Sequence, residues 1–138
     1  MNTHPYRQLA GQCTCGSVRY DVADEFEYAA NCQCLDCRRA TGSAFKPFAG
    51  IARGKFRICE GAADLQFIGN DIAHDGRCKT CGSLLYSLVR DGQYVHVTMG
   101  TLTDDPSIRP TGHIFVASKA PWYIIADDLP RYAGHVSG

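Results

Sequence analysis

The stretch between Asn31 and Phe45 constrains this chain more than any other, because it places Cys32, Cys34 and Cys37 within six residues. Thiolates this close together repel one another unless a cation lies between them, and a soft divalent ion such as zinc is the usual solution. Three protein ligands leave one corner of a tetrahedron unfilled, which is typical of a reactive zinc rather than a structural one. The question for the rest of the chain is whether it supplies a fourth ligand.

Two further cysteine pairs share one pattern. Cys13 and Cys15 form a short chelate that is followed directly by glycine and then by a β-strand pattern, and so do Cys78 and Cys81. Gly16 suits a tight turn, since glycine tolerates a positive φ. Two such pairs far apart in the sequence predict a structural zinc with four thiolate ligands. The alternative is that these cysteines are only buried apolar residues.

This pairing leaves the three-cysteine group with one spare thiol in the chain, Cys59. It lies alone in an alternating strand pattern, for which we predict a packing role. The group is therefore predicted to hold a second zinc with an exchangeable fourth position. Two alternatives stay open: a second structural zinc completed by Cys59 or a histidine, and a metal site that is only partly occupied.

Composition excludes several classes of function. Lys plus Arg and Asp plus Glu number 14 each, so no charge excess favours nucleic acid or anionic lipid as a partner. No apolar run approaches the roughly 18 residues of a membrane helix. The first seven residues lack the hydrophobic region of a secretory signal, so we expect a cytoplasmic protein in which the eight cysteines bind metal rather than form disulfides. The 138 residues are expected to form one domain, residues 1–138.

The secondary-structure pattern is that of a mainly β protein with little helix. Many short alternating segments are separated by turn signals, among them Asp91-Gly92, which is typical of a hairpin. One helical turn is predicted over residues 35–40, with Gly42 ending it. Phe45 to Ala52 is predicted as a strand, but Pro47 places it at an edge or a bulge.

The cysteine motifs occur in an order that resembles a known family. They are Gly11-x-Cys13-x-Cys15-Gly16, then Cys32-x-Cys34-x-x-Cys37-Arg38-Arg39 with Thr41-Gly42-Ser43, then Cys78-x-x-Cys81-Gly82-Ser83. Together with Gly100-x-Leu102, His113 and Lys119-x-x-Trp122, they are similar to the glutathione-dependent formaldehyde-activating enzyme (GFA) family. The resemblance covers nearly the whole chain. One departure is Gln33, which stands where many relatives have histidine.

The resemblance implies a zinc-stabilised β fold of the Mss4-like kind and carbon–sulfur lyase chemistry. The reaction attributed to the family's namesake is the reversible addition of glutathione to formaldehyde, which gives S-hydroxymethylglutathione. By resemblance, the structural zinc is bound by Cys13, Cys15, Cys78 and Cys81, and the second metal by Cys32, Cys34 and Cys37. The implied partners are a small glutathione-like thiol and an aldehyde. The family is broad, and membership does not determine the substrate.

Substrate contacts are predicted next to the second metal. Arg38 and Arg39 could bind a carboxylate of the thiol bidentately, although paired arginines are equally typical of a solvated surface. Ser43 and Phe45 follow at once and are candidates for the same pocket. The sequence identifies no general base. The competing hypothesis is a non-catalytic, zinc-stabilised binding module of the same fold. A methionine sulfoxide reductase is disfavoured because its zinc needs two Cys-x-x-Cys pairs.

Overall fold

Short strands make up most of the regular structure in the computed structural model, which describes residues 7–136. The predicted domain also includes residues 1–6 and 137–138, which lie outside the described residues. In chain order, the helices and strands are β1 (Gln8–Gln12), β2 (Arg19–Ala23), β3 (Tyr28–Cys32), α1 (Leu35–Thr41), β4 (Lys46–Ala52), β5 (Phe56–Glu60), β6 (Leu65–Gly69), β7 (His74–Cys78), β8 (Leu84–Val89), β9 (Tyr94–Thr98) and β10 (His113–Ile114). Single 3₁₀ turns occur at Arg53–Lys55, Ala62–Asp64, Met99–Thr101 and Val116–Ser118.

These strands form two sheets over the described part of the chain. The small sheet has three strands in the order β1-β2-β5, and the large sheet has seven in the order β10-β3-β4-β9-β8-β7-β6. Neighbouring strands are antiparallel except β10, which runs parallel to β3. The predicted mainly β class is confirmed. No helix among the described residues is long and apolar enough to cross a membrane.

The main hydrophobic core joins side chains of both sheets. Alternation along the strands decides which residues enter it, because successive side chains point to opposite faces of a sheet. In β9, Val95 and Val97 are buried in this core, whereas Tyr94 and His96 point to the other face. The largest fully buried members of the core are Leu9, Val18, Tyr20, Val22, Ile51, Leu85, Val95 and Val97.

The opposite face of the large sheet carries a second, smaller cluster of buried side chains. Its members are Ala30, Cys32, Phe48 and Ile114, from β3, β4 and β10. The two faces of the large sheet therefore differ in what they bury. One face closes the main core, and the other carries the three-cysteine group.

Pro47 is not at a sheet edge, so that prediction was wrong. Strand β4 lies in the interior of the large sheet between β3 and β9. Pro47 pairs with Asn31 of β3, whose own N–H donates to Gly112 on the far side. The nitrogen of Pro47 therefore faces the β9 side, where the ladder begins only at Phe48 paired with Thr98. A proline is tolerated there because its missing N–H falls just beyond the last ladder bond.

Candidate metal centres

Two turns bring Cys13, Cys15, Cys78 and Cys81 together. The first turn joins β1 to β2 and the second joins β7 to β8, and the four Sγ atoms lie within 4.8 Å of one another. Both turns end in a left-handed glycine, Gly16 with φ 79° and Gly82 with φ 81°. We call this group the four-thiol cluster. It lies at the rim of the main core and links the small sheet to the large one.

The spacing of these sulfurs fits a metal. Cys15 Sγ lies 3.6 Å from Cys13 Sγ and 3.7 Å from Cys78 Sγ. Ligand sulfurs at the corners of a zinc tetrahedron, with Zn–S bonds of about 2.3 Å, are about 3.8 Å apart. A disulfide needs about 2.05 Å. All eight cysteines of the chain are free thiols, so the cluster is not a disulfide framework and could hold a metal ion.

Hydrogen bonds lower the pKa of two of the four thiols, Cys13 and Cys81. The hydrogen bond with Ser17 also lowers the pKa of Cys78, but burial and the neighbouring Cys81 thiol outweigh it, so this pKa stays above its usual value. Burial raises the pKa of Cys13, but the N–H of Val18, at 3.3 Å from its Sγ, and the neighbouring thiols Cys15 and Cys78 together hold that pKa below its usual value. The hydroxyl and N–H of Ser83 lower the pKa of Cys81 to about 5. Thiolates stabilised in this way are ready-made zinc ligands.

Hydroxyl groups tie the two turns to each other. Ser17 Oγ lies 3.4 Å from Cys78 Sγ and donates to Asp64 at 2.6 Å. Ser83 Oγ accepts from the N–H of Thr14 at 3.0 Å. These bonds around the ligands orient the sulfurs before any metal arrives.

The remaining three thiols form a second group at the junction of β3 and α1. Cys32 is the last residue of β3, Cys34 is the N-cap of α1, and Cys37 lies in the first turn of the helix. The Cys37 N–H donates to Cys34 Sγ at 3.3 Å, and the helix ends at Gly42 with φ 61°. The three Sγ atoms lie within 4.8 Å of one another. We call this group the three-thiol cluster.

Electrostatics divide the protons of the three-thiol cluster unevenly. A hydrogen bond from Cys37 lowers the pKa of Cys32 to about 6, and the nearby cation of Lys46 acts in the same direction. The same hydrogen bond, together with burial and the developing charge on Cys32, raises the pKa of Cys37. Without a metal the cluster is thus a thiolate that shares a proton with its neighbour. A divalent cation would replace that proton.

No fourth ligand joins this cluster among residues 7–136. The groups of three or more potential ligands there are the four-thiol cluster and the three-thiol cluster, without any additional histidine or carboxylate. Cys59 lies on β5 of the small sheet and is exposed, so its predicted packing role was wrong. The two cysteine clusters could hold metal ions, and their all-sulfur donor sets suit zinc.

A cavity of about 770 Å³ opens beside the three-thiol cluster, and Cys32 and Cys37 form part of its wall. Aromatic rings line much of the rest, contributed by Tyr28, Phe48 and Phe115. The cavity therefore has thiols at one end and a largely apolar body. This combination is typical of a small-molecule site.

The polar groups of the cavity are mostly basic. Tyr28 Oη lies 2.7 Å from His96 Nε2, and burial, with the cations of Lys46 and Arg90 nearby, lowers the pKa of His96 to about 4. The His96 ring stacks on Phe48 at 4.3 Å. Arg90 lies over the ring of Tyr94 at 4.3 Å. No carboxylate lines the cavity within the described part of the chain.

Sequence reasoning missed these cavity residues. Tyr28 reaches His96 by lying across Gly50, where an added Cβ would be 2.2 Å from the tyrosine ring. A usable signal was present only for Lys46, a charged residue in phase with the apolar Phe48 along one strand. For Tyr28 and His96 no local signal exists, because their contact depends on the order of the strands.

None of the four predicted substrate-binding residues lines the cavity that contains Cys32 and Cys37. Arg38, Arg39 and Ser43 line a separate groove of about 260 Å³. The Arg38 guanidinium donates to the Ser118 carbonyl at 2.9 Å, whereas Arg39 is exposed. Phe45 packs near Tyr123, with 5.5 Å between ring centroids. The structure therefore brings Arg38, Arg39 and Ser43 together but does not place them in the cavity with the thiols.

Gln33, between the first two thiols, is fully buried. Its Nε2 lies 3.0 Å from Nδ1 of His113, and the Nε2 of that histidine lies 3.0 Å from Asp127. Because the amide donates to Nδ1, the histidine carries its proton on Nε2 and donates it to the carboxylate. The network anchors the loop of the cluster to the C-terminal segment.

Comparison with known proteins agrees with this architecture. The family model of the glutathione-dependent formaldehyde-activating enzyme matches residues 8–118. The crystal structure of a Rhodobacter sphaeroides protein is similar with a TM-score of 0.59 and 24% identity, over 72% of this chain and 92% of that chain. At this identity the likeness shows a shared fold. No curated protein matches the chain. Since the family model spans most of the sequence and includes both cysteine clusters, the chain belongs to the glutathione-dependent formaldehyde-activating enzyme family.

Proposed function

We propose that this protein is a zinc-dependent carbon–sulfur lyase that adds a small thiol such as glutathione to an aldehyde, or removes it. The observation that carries the proposal is the three-thiol cluster, which has no fourth ligand among the described residues and forms part of a cavity of about 770 Å³. A saturated metal would have no means of binding a substrate. A metal with a free coordination position beside a cavity of this size could bind one.

In this proposal Cys13, Cys15, Cys78 and Cys81 hold a structural zinc, and Cys32, Cys34 and Cys37 hold the second. Zinc bound by three thiolates would keep a thiol at its fourth position deprotonated at neutral pH. The cavity residues then have two tasks. The aromatic walls exclude water from the thiolate, and the basic residues favour an anionic substrate, since no described lining residue is acidic.

The reaction itself needs no redox partner. The sulfur forms a bond to the aldehyde carbon, the π pair of the carbonyl moves to oxygen, and that oxygen takes up a proton to become the hydroxyl of a hemithioacetal. The reverse reaction releases aldehyde and thiol. The site must therefore bind a thiolate and stabilise negative charge on an oxygen next to it.

Arg39 stays a candidate for binding a carboxylate of the thiol. Its side chain is exposed, and it has no hydrogen bond or ion pair to other described residues. Arg38 is a weaker candidate because its guanidinium already binds Ser118. Ser43 and Phe45 would act only as outer contacts. A cytoplasmic location is part of the proposal, since eight free thiols suit a reducing compartment.

Calorimetric titration with glutathione tests the proposal. We expect one binding site per chain in zinc-loaded protein, and a much weaker one for S-methylglutathione, which has no thiol to ionise. Nuclear magnetic resonance exchange between ¹³C-formaldehyde and its glutathione adduct should then be accelerated by the protein. Absence of binding by glutathione, cysteine and other small thiols would favour the alternative, a zinc-stabilised binding module without catalysis.

A further inference from the structure

Lys46 is a buried cation with no ion pair to other described residues. Lys46 is only 6% exposed. It is the first residue of β4, a strand in the interior of the large sheet. Burying a cation is costly, and the opposite charges near this one, the Cys32 thiolate and Asp75 beyond Ser87, form no direct ion pair with it, so such a residue is rarely retained for packing alone. This makes the position a candidate for function.

The position of the ammonium group is held by two neighbours. Lys46 Nζ donates to Ser87 Oγ at 2.7 Å, and Ser87 Oγ donates to Asp75 Oδ1 at 2.6 Å. These residues lie on β4, β8 and β7, so the chain of bonds runs across the sheet. An ammonium group has three N–H donors, and the structure shows a protein partner for one of them. Residues 7–136 supply no partner for the other two, so a ligand in the cavity could accept from them.

Lys46 shares its cavity with the thiols. Lys46 pairs in register with Cys32, and both line the cavity together with Cys37. The other cation of the cavity, Arg90, is at the tip of the hairpin between β8 and β9 and stacks on Tyr94. Of the two, Lys46 is the one on a strand that pairs directly with β3, which carries Cys32.

We propose that Lys46 is a catalytic residue that stabilises the negative charge developing on the aldehyde oxygen as the sulfur–carbon bond forms. This inference rests on the proposed function. Ser87 and Asp75 are positioning residues that hold its ammonium group. As the sulfur attacks, the carbonyl π pair moves to the oxygen, which accepts hydrogen bonds from Nζ and then takes a proton from water. The hydroxide left by that water is neutralised by the proton that the thiol released when it became a thiolate. In reverse, the hydroxyl loses that proton, and the sulfur–carbon bond breaks as the carbonyl re-forms.

A role limited to balancing the charge of the thiolates would give different experimental results. If Lys46 only balanced the negative charge of the thiolates, its removal would weaken binding of the second metal and would not affect recognition of the substrate oxygen. The two roles are separated by a pair of stable ligands of nearly equal shape. S-carboxymethylglutathione places an anionic oxygen near the attacked carbon, and S-carbamoylmethylglutathione places a neutral amide there.

The experiment compares wild-type protein with Lys46→Met, Lys46→Arg and Ser87→Ala, at equal zinc content, by calorimetry with both ligands and by steady-state kinetics. Wild-type protein should prefer the carboxylate ligand by about tenfold or more, and Lys46→Met should bring this ratio close to one. Loss of an oxyanion donor typically lowers kcat by about 10²–10³-fold, and we expect that loss with KM for glutathione nearly unchanged. Lys46→Arg should retain part of the preference, and Ser87→Ala should reduce it.

The outcomes separate this proposal from the one it rests on. If wild-type protein binds glutathione but the preference and kcat survive in Lys46→Met, the role of Lys46 is overturned and the lyase proposal stands. The same holds if only the affinity for the second zinc changes. If wild-type protein binds neither glutathione nor either conjugate, both proposals fail. Should Lys46→Met not fold, Ser87→Ala and Lys46→Arg provide the same comparison of ligand ratios.

Discussion

The four-thiol and three-thiol clusters use the same ligand and are built in opposite ways. The four-thiol cluster joins two turns that are 63 residues apart between Cys15 and Cys78, and it links two sheets at the rim of the main core. The three-thiol cluster is made within one strand–helix junction on the other face of the large sheet. Closing a long loop contributes to folding, whereas a local chelate contributes little. Under the proposed function, sequence separation and the number of ligands, not ligand type, distinguish a stabilising centre from a reactive one.

Their surroundings differ in the same sense. The neutral hydroxyls of Ser17 and Ser83 lie around the four-thiol cluster. The carboxylate nearby, that of Asp64, accepts hydrogen bonds from the hydroxyls of Ser17 and Thr80. The three-thiol cluster instead lies next to the cation of Lys46 and an apolar cavity. The first environment keeps ligands in place. The second leaves space and charge for a substrate.

The largest expected effect is on the four-thiol cluster. Cys78→Ser should unfold the domain, because loss of a structural zinc removes stability on the order of 10 kcal/mol. Circular dichroism and zinc analysis would measure this. Cys59→Ser is the matched control, since that thiol is exposed and outside both clusters, and its effect should stay within about 0.5 kcal/mol. A folded Cys78→Ser protein with its full zinc content would remove the distinction between the clusters.

The corresponding change in the three-thiol cluster should leave the protein folded. In Cys34→Ser the new hydroxyl can still cap α1, because serine is a favoured N-cap residue, so the helix is preserved while a metal ligand is lost. We expect zinc to fall from about two to about one per chain, lyase activity to disappear, and stability to change by roughly 1–2 kcal/mol. Global unfolding would mean that this cluster is structural as well.

A further effect concerns pH and the cavity. Burial holds the pKa of His96 at about 4, whereas the unfolded chain takes up this proton near pH 6.5. The unfolded state therefore binds more protons between these values, and stability falls as pH drops from about 6.5 to 4, by about 3 kcal/mol in total. His96→Gln should lack this contribution. Urea denaturation of wild-type and His96→Gln protein across that pH range measures this contribution to the free energy of unfolding. Zinc released by acid affects both proteins, so its effect cancels when the two free energies are subtracted. Parallel pH curves would contradict a neutral, buried imidazole.

Much of the fold follows from local pattern. The alternating segments, the Asp91-Gly92 turn and the ending of α1 at Gly42 are visible in the sequence, because each depends on residues close together in the chain. Pro47 was misjudged since its tolerance depends on where the β4–β9 ladder begins, which no local pattern records. The exposure of Cys59 was missed for a similar reason. Alternation identifies two faces of a strand but not which one a second sheet covers.

By itself, the sequence determined that this protein carries closely spaced thiol chelates on a framework of short strands, since the residues within each chelate are held near one another by a single turn or helix. Only the tertiary structure decided what surrounds them. Lys46 and Ser87 are 41 residues apart, and Tyr28 and His96 are 68 apart, and each pair meets through the order and register of the strands. A slip of one residue in register would turn these side chains to the opposite face, so the cavity beside the three-thiol cluster exists only in the assembled sheet.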